Sequence, residues 1–328
     1  MSNSIRIIYG CPIGNTPAGG VKVIYRHSEL LSQLGHASSV WHPGNENFRC
    51  DWFDSKANTI PDSQLSPSTD LIVLPEIWAT GYMDLLKNLG FKVAIFVQNG
   101  YYTHVNLNTN NPQGIRDAYL AADLILSISS DTSLYLEQIL QVPKNKIVLQ
   151  RYSVDPLIFK PHNKQKIISY MPRKMAQHSV RFVSAITPLL PNGWTIQALD
   201  KMSESDIAHH LSQSIIFAAF SEFEGLPVPP VEAALSGNIV IGYHGQGGRE
   251  YWKEPNFFAI EQGDLQAFIT KTLQQVNAVE SGVVNLNELN EGIRTLSQYF
   301  SKDNEKQMLQ ELMDKSEAIF NQVPSRRT

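Results

Sequence analysis

Two α/β domains in tandem, each a doubly wound parallel sheet, are what this sequence predicts, on three observations. The chain has 328 residues, more than one hydrophobic core usually serves. Short runs of Ile, Val and Leu alternate with helix-like segments, the pattern of strands joined by helical crossovers in a sheet covered on both faces. The series then starts again after "RYSVDPLIFKP", whose prolines at 156 and 161 mark a natural boundary. The expected division is a first domain over residues 1–153, a second over 154–302, and a closing helical segment over 303–328 that packs back on the first.

In the first series the strand candidates are "IRIIY", "ASSVW", "DLIVLP", "KVAIFV", "DLILSIS" and "NKIVLQ". The clearest helix runs from Val21 to Leu34, with Val23, Ile24, Leu30, Leu31 and Leu34 apolar and Gly35 as its stop. In the second series "KIISYM", "WTIQAL", "SIIFAAF", "NIVIGY" and "FFAI" are the strands, separated by "HSVRFVSAITPLL", "SESDIAHHLSQ" and "PVEAALSG". The last helix, Asp303 to Phe320, offers Met308, Leu309, Leu312 and Ile319 for burial.

Hydrophobic content of 42%, charged content of 18% and a net charge of −4 describe an ordinary globular chain. The longest basic clusters are Arg173-Lys174 and Arg326-Arg327, too short for a phosphate-tracking surface, so no nucleic-acid partner is expected. The N-terminal apolar run is too short for a signal-peptide core, and no run approaches the ~18 apolar residues of a membrane span. A cytoplasmic protein is expected, with Cys11 and Cys50 as free thiols.

The most informative stretch is "EGLPVPPVE", in which Glu224 and Glu232 flank a proline-rich insert. It lies between a buried strand, "SIIFAAF", and a helix, "PVEAALSG". In a parallel sheet such a loop sits at the carboxyl edge, where these folds bind ligands, and the free N–H groups of the helix start favour an anion. Prolines 227, 229 and 230 stiffen the backbone at Gly225 and Leu226. Glu232 falls in the first helical turn on this reading, where the dipole alone could account for a carboxylate. Glu224 sits in the loop before a glycine, with no such structural reason. Together they suggest a polar ligand with hydroxyls and phosphates.

This stretch resembles the donor-binding signature of family 4 glycosyltransferases, retaining enzymes of the GT-B fold. Glu224, Gly225, Pro229, Glu232, Ala233 and Gly237 match in register, whereas Leu226, Pro227 and Val228 depart from the usual pattern. "TPAGGVKVIYRHSELLSQLGH" is similar to the family's glycine loop and first helix, with Gly19 and Gly20 where the backbone approaches sugar and diphosphate. "YSVDPLIFKP" is similar to its interdomain segment, with Ser153 replacing a glycine. The family's phosphate-binding Arg and Lys are usually several residues apart, and the candidates here, Arg173 and Lys174, are adjacent.

The resemblance implies the remaining roles. Glu224 contacts hydroxyls of the transferred sugar, Gly225 and Leu226 offer amides, Glu232 accepts from the ribose, and Arg173 and Lys174 stabilise the departing diphosphate. Gly247 and Gly248 in "GYHGQGGREYW" allow close sugar approach, and Gln98, Asn99 and His104 in "FVQNGYYTH" face the acceptor. The implied activity is sugar transfer from a nucleotide-sugar, used as co-substrate, to a saccharide or glycolipid hydroxyl with retention of configuration, as in cell-surface polysaccharide assembly. It leaves room for peripheral contact with the inner face of the membrane.

No cofactor or metal is expected. There is no P-loop, dinucleotide fingerprint, GxSxG elbow, HExxH helix or Asp-x-Asp pair, and the adjacent His209 and His210 cannot readily share one ion. Two alternatives stay open: an inactive nucleotide-sugar-binding scaffold of the same fold, and a nucleotide-sugar epimerase.

Overall fold

The computed structural model describes residues 4–14, 18–104, 111–284 and 286–321. Thr16 and Pro17 of the glycine-loop segment, the Arg326-Arg327 pair and the end of the 303–328 segment lie outside these residues. The chain divides into two compact units, Met1–Tyr152 with Glu305–Thr328, and Ser153–Asn304.

The first unit runs β1 (Arg6–Gly10), α1 (Gly19–Gln33), β2 (Ala37–Trp41), β3 (Thr59–Ile60), β4 (Asp70–Pro75), α2 (Ala79–Asn88), β5 (Lys92–Val97), α3 (Pro112–Ala121), β6 (Leu124–Ser127), α4 (Ser130–Gln138) and β7 (Ile147–Leu149). Its seven-stranded sheet has the order β3-β2-β1-β4-β5-β6-β7, with every pair parallel. This is the doubly wound arrangement, with its reversal at β1. β4 is buried at each of its positions, as a strand covered on both faces must be. The buried Asp70 that begins it receives Arg6 Nε and Nη2, both at 2.7 Å, which ties the paired starts of β1 and β4 together.

The second unit runs β8 (Gln165–Tyr170), α5 (Ala176–Ile186), β9 (Thr195–Ala198), α6 (Glu204–Gln213), β10 (Ser214–Glu224), α7 (Val228–Leu235), β11 (Ile239–Gln246), β12 (Phe257–Ala259), α8 (Leu265–Glu280) and α9 (Leu286–Tyr299). The five parallel strands are ordered β12-β11-β10-β8-β9, which reverses between β8 and β10. Phe182, Phe220, Tyr243 and Phe268, from both sheet and helices, centre its core with ring centroids 4.6–6.0 Å apart.

α10 (Lys302–Phe320) begins in the second unit and ends in the first. Ser301 Oγ accepts the Asn304 N–H at 3.1 Å and so caps its start. Leu309 and Leu312 are buried as expected, but Met308 and Ile319 are only partly so, because the inward stripe runs through Glu305, Leu309, Met313 and Ser316. Three further expectations change. α1 starts at Gly19, so both glycines lie inside the helix rather than in a loop before it. β10 continues past "SIIFAAF" through Glu224, because a bulge between Ser221 and Glu224 lets pairing with β11 resume. α7 starts at Val228, which puts Glu232 in its second turn, beyond the first-turn dipole position.

The ends of α6 and α7 are held by one cation. Lys164 Nζ donates to the carbonyls of Leu211, Ser214 and Ser236 at 3.2, 2.6 and 2.5 Å, satisfying carbonyls that helix ends leave orphaned. Lys164→Met should therefore cost about 2–3 kcal/mol, the scale of hydrogen bonds to a charged group, read as a lowered melting temperature.

Candidate active site

In the second unit the loops after β8 and β10 leave the sheet at its reversal, where open parallel sheets bind ligands. These loops carry Arg173-Lys174 and Glu224-Gly225-Leu226. Lys174 Nζ forms an ion pair with Glu224 Oε1, whereas Arg173 is exposed. The two adjacent cations thus point differently. Burial and the neighbouring Arg173 charge push the Lys174 ammonium down to about 8.

Asn111, Ser129, Ser203 and Asp264 cap α3, α4, α6 and α8 with their side chains. Met175 and Pro227 give α5 and α7 no such cap, and Ala18 and Trp78 give none to α1 and α2. The start of α5 thus has no side-chain cap after Lys174, whereas α7 offers only the Val228 N–H among its first three residues, because Pro229 and Pro230 carry none. α7 itself buries Pro230, Val231, Ala233, Ala234 and Leu235. Glu232, partly exposed, is the single charge on that otherwise apolar helix.

The backbone at this edge is strained. Of five non-glycine residues with positive φ among the described residues, Met175 follows Lys174, Phe223 precedes Glu224 and Gln246 precedes Gly247. Left-handed conformations in such residues cost roughly 1–3 kcal/mol each and gather where function demands them. These positions carry no residue-type signal, since glycine is the usual mark of positive φ.

Gly247 and Gly248 take a packing role. A Cβ on Gly247 would lie 1.9 Å from the Gly225 carbonyl oxygen, and one on Gly248 would lie 3.2 Å from Pro227 Cγ. Their lack of a Cβ lets the loops after β10 and β11 interlock. Tyr251 adds a bond from its hydroxyl to the Pro227 carbonyl at 2.7 Å.

In the first unit, Gln98 Nε2 donates to the Gly20 carbonyl at 3.2 Å, and a Cβ on Gly20 would lie 3.0 Å from Gln98 Oε1. Among the described residues, a Cβ on Gly19 would meet nothing within 4 Å. Asn99 is buried, with its Oδ1 accepting the Tyr101 N–H at 3.0 Å, and the exposed His104 meets Tyr135 edge-on at 6.0 Å. The structure therefore brings Gln98 to Gly20 but turns Asn99 into its own turn. Sequence reasoning missed Glu76, which ends the apolar run "DLIVLPE" at a strand's carboxyl edge. Its Oε1 accepts the Asn99 N–H at 3.1 Å. Burial pushes this carboxyl up to about 7, against the opposing effect of the backbone N–H donors. Among the described residues no group of three or more His, Cys, Asp or Glu could hold a metal ion, and no helix is long and apolar enough to cross a membrane. Cys11 and Cys50 are free and buried.

Comparison with known proteins agrees with this geometry. No protein-family model matches the sequence. The chain is 26% identical over 317 residues to an alpha-1,6-glucosyltransferase of Actinobacillus pleuropneumoniae serotype 7, covering 92% of each chain. Sucrose-phosphate synthase from Thermosynechococcus elongatus superposes with a TM-score of 0.73 at 13% identity, over 96% of this chain and all of that one. Anabaena HepE in complex with UDP and glucose gives 0.72 at 12% identity, over 94% and 99%. The chain is a glycosyltransferase homologue with the two parallel-sheet domains of the GT-B fold.

Two outcomes follow. Gly247→Ala should cost about 1–3 kcal/mol through overpacking against Gly225, read as a lower melting temperature. Because the folded Glu76 carboxyl sits above its unfolded value, the folded chain holds the extra proton from about pH 4.5 to 7, and stability falls as pH rises through that window. Glu76→Gln should abolish this fall and melt higher than the wild type at pH 8, with little difference at pH 4.

Proposed function

We propose that this protein transfers a hexose from a uridine diphosphate sugar to a hydroxyl acceptor, with retention of configuration and without a metal. The observation that carries the reading is the placement of Lys174 against Glu224 at the sheet reversal, between the uncapped starts of α5 and α7. The relative named as a glucosyltransferase and the neighbour holding UDP and glucose support the choice of donor.

In this reading the diphosphate takes N–H groups at the start of α5 and the Val228 N–H of α7, together with the Arg173 and Lys174 charges. Negative charge on the leaving phosphate grows in the transition state, so these groups stabilise it more there than in the ground state. Glu224 accepts from hydroxyls of the transferred sugar, Gly225 and Leu226 present the loop backbone, and Glu232 accepts from the ribose. Gln98, Asn99 and His104 of the first unit serve the acceptor. The acceptor oxygen bonds to the anomeric carbon as the bond to the phosphate oxygen breaks on the same face, and the departing phosphate receives the acceptor proton. No protein nucleophile and no metal is used. A saccharide or glycolipid is the acceptor class that fits, with cytoplasmic or membrane-peripheral placement.

Lys174→Ala and Glu224→Gln should each slow transfer from UDP-glucose by about 100-fold or more, with the fold intact by circular dichroism. Wild-type activity should survive a chelator, and the product anomer, read by NMR, should match the donor's. Binding without transfer or slow donor hydrolysis would instead identify a scaffold, and donor interconversion without acceptor an epimerase. Wild type at 100 times the dissociation constant of UDP should gain about 2.7 kcal/mol of stability, a gain that Glu232→Ala should largely lose.

A further inference from the structure

The first sheet has its own reversal, at β1, and the carboxyl ends of the neighbouring β1 and β4 are where an open parallel sheet of that order takes a ligand. β4 runs directly into the short turn Glu76–Trp78, and the indole of Trp78 lies against the last residue of β1: a Cβ on Gly10 would stand 3.2 Å from Trp78 Cζ3 and 3.5 Å from Cε3. Any side chain at Gly10 would press on the ring. Tyr82 of α2 supports the same indole, with ring centroids 5.2 Å apart, and Glu76 fixes the turn by accepting the Asn99 N–H at 3.1 Å. Although anchored in this way, Trp78 is only partly buried, and its Nε1–H has no hydrogen-bond partner among the described residues. Ile13, in the loop after β1, and Ile77, beside Trp78, are 48% and 43% exposed. A held aromatic ring with an unused donor, flanked by two bare aliphatic side chains, thus stands at the ligand-binding edge of the first unit.

We infer that Trp78 is the platform on which a pyranose ring of the acceptor stacks, which makes the acceptor a saccharide, or a glycolipid read by its sugar; this rests on the transferase reading above, in which the first unit serves the acceptor. A pyranose carries C–H groups on its faces and hydroxyls round its rim. An indole matches both, with an apolar ring face and one N–H that only donates. An alkyl chain would cover the two isoleucines but leave that N–H without an acceptor once water is excluded, so the sugar is the better occupant. Gln98, at the end of the next strand β5, brings an amide to the same edge.

The test measures, by ligand-observed NMR, binding of isomaltose, octyl β-glucoside and octanol to the UDP-loaded protein, in wild type, Trp78→Phe and Trp78→Leu. Trp78→Leu should weaken both sugars about tenfold, and Trp78→Phe, which keeps a ring but not the donor, by about threefold, while UDP affinity stays within about twofold in each. In wild type the Trp78 indole N–H resonance, assigned by its loss in Trp78→Phe, should move when isomaltose is added, a readout that needs no folded Trp78→Leu. A resonance that stays still overturns the inference, as does a loss of UDP affinity equal to the loss for sugars, which would assign Trp78 to packing alone. Octanol bound as tightly as octyl β-glucoside also overturns it, in favour of an alkyl chain. If wild type binds UDP but neither sugar, the inference fails and the donor-site reading stands; if it binds no UDP, that reading fails first, and the inference with it.

Discussion

The reversal of strand order between β8 and β10 is the constraint on which the candidate site depends. Crossovers in parallel sheets are right-handed, so when the chain changes direction of growth, the loops leaving the two central strands open onto opposite faces and leave a crevice between them. Here the loop after β8 carries Lys174 and the end of β10 carries Glu224. Two residues far apart in sequence become an ion pair because the sheet makes their strands neighbours. Burial and Arg173 work against the ammonium, which lies beside the carboxylate.

Around that pair the fold departs from local optima. Three side-chain-bearing residues adopt positive φ next to site residues, and α5 and α7 start without side-chain caps, although α6 in the same unit has a full capping box at Ser203 and Asp206. The compensating order lies behind the site. The aromatic cluster of Phe182, Phe220, Tyr243 and Phe268, the buried helix α7 and the three carbonyl contacts of Lys164 hold the edge from below. A strained, polar rim on a closely packed sheet is the economy expected where ligand contacts are to be preorganised.

Much of the fold was legible because parallel strands buried on both faces read as apolar runs: "DLIVLP" and "KVAIFV" coincide with β4 and β5, and the more polar "ASSVW" coincides with the partly exposed β2. The two-residue β3 and the α8 and α9 helices escaped, the first for shortness and the others because polar residues dilute their apolar faces. At the site, the motif spacing led to Glu224 and Lys174, but their contact depended on tertiary pairing. Glu76 was hidden because a glutamate after a strand looks solvated until the fold encloses it. Phe223, Met175 and Gln246 were hidden because residue type carries no warning of positive φ when the residue is not glycine.

α10 links events that are distant in time as well as in sequence. The second unit is one continuous stretch, while the first is completed by residues from Glu305 onward. Glu305 is buried in the first unit with its carboxylate 3.0 Å from Arg26 Nη2, and Gln150 Nε2 donates to the Met308 carbonyl. A chain emerging from the ribosome can therefore finish its second unit while the first still lacks its final helix. The N-terminal half, made first, is the last to close.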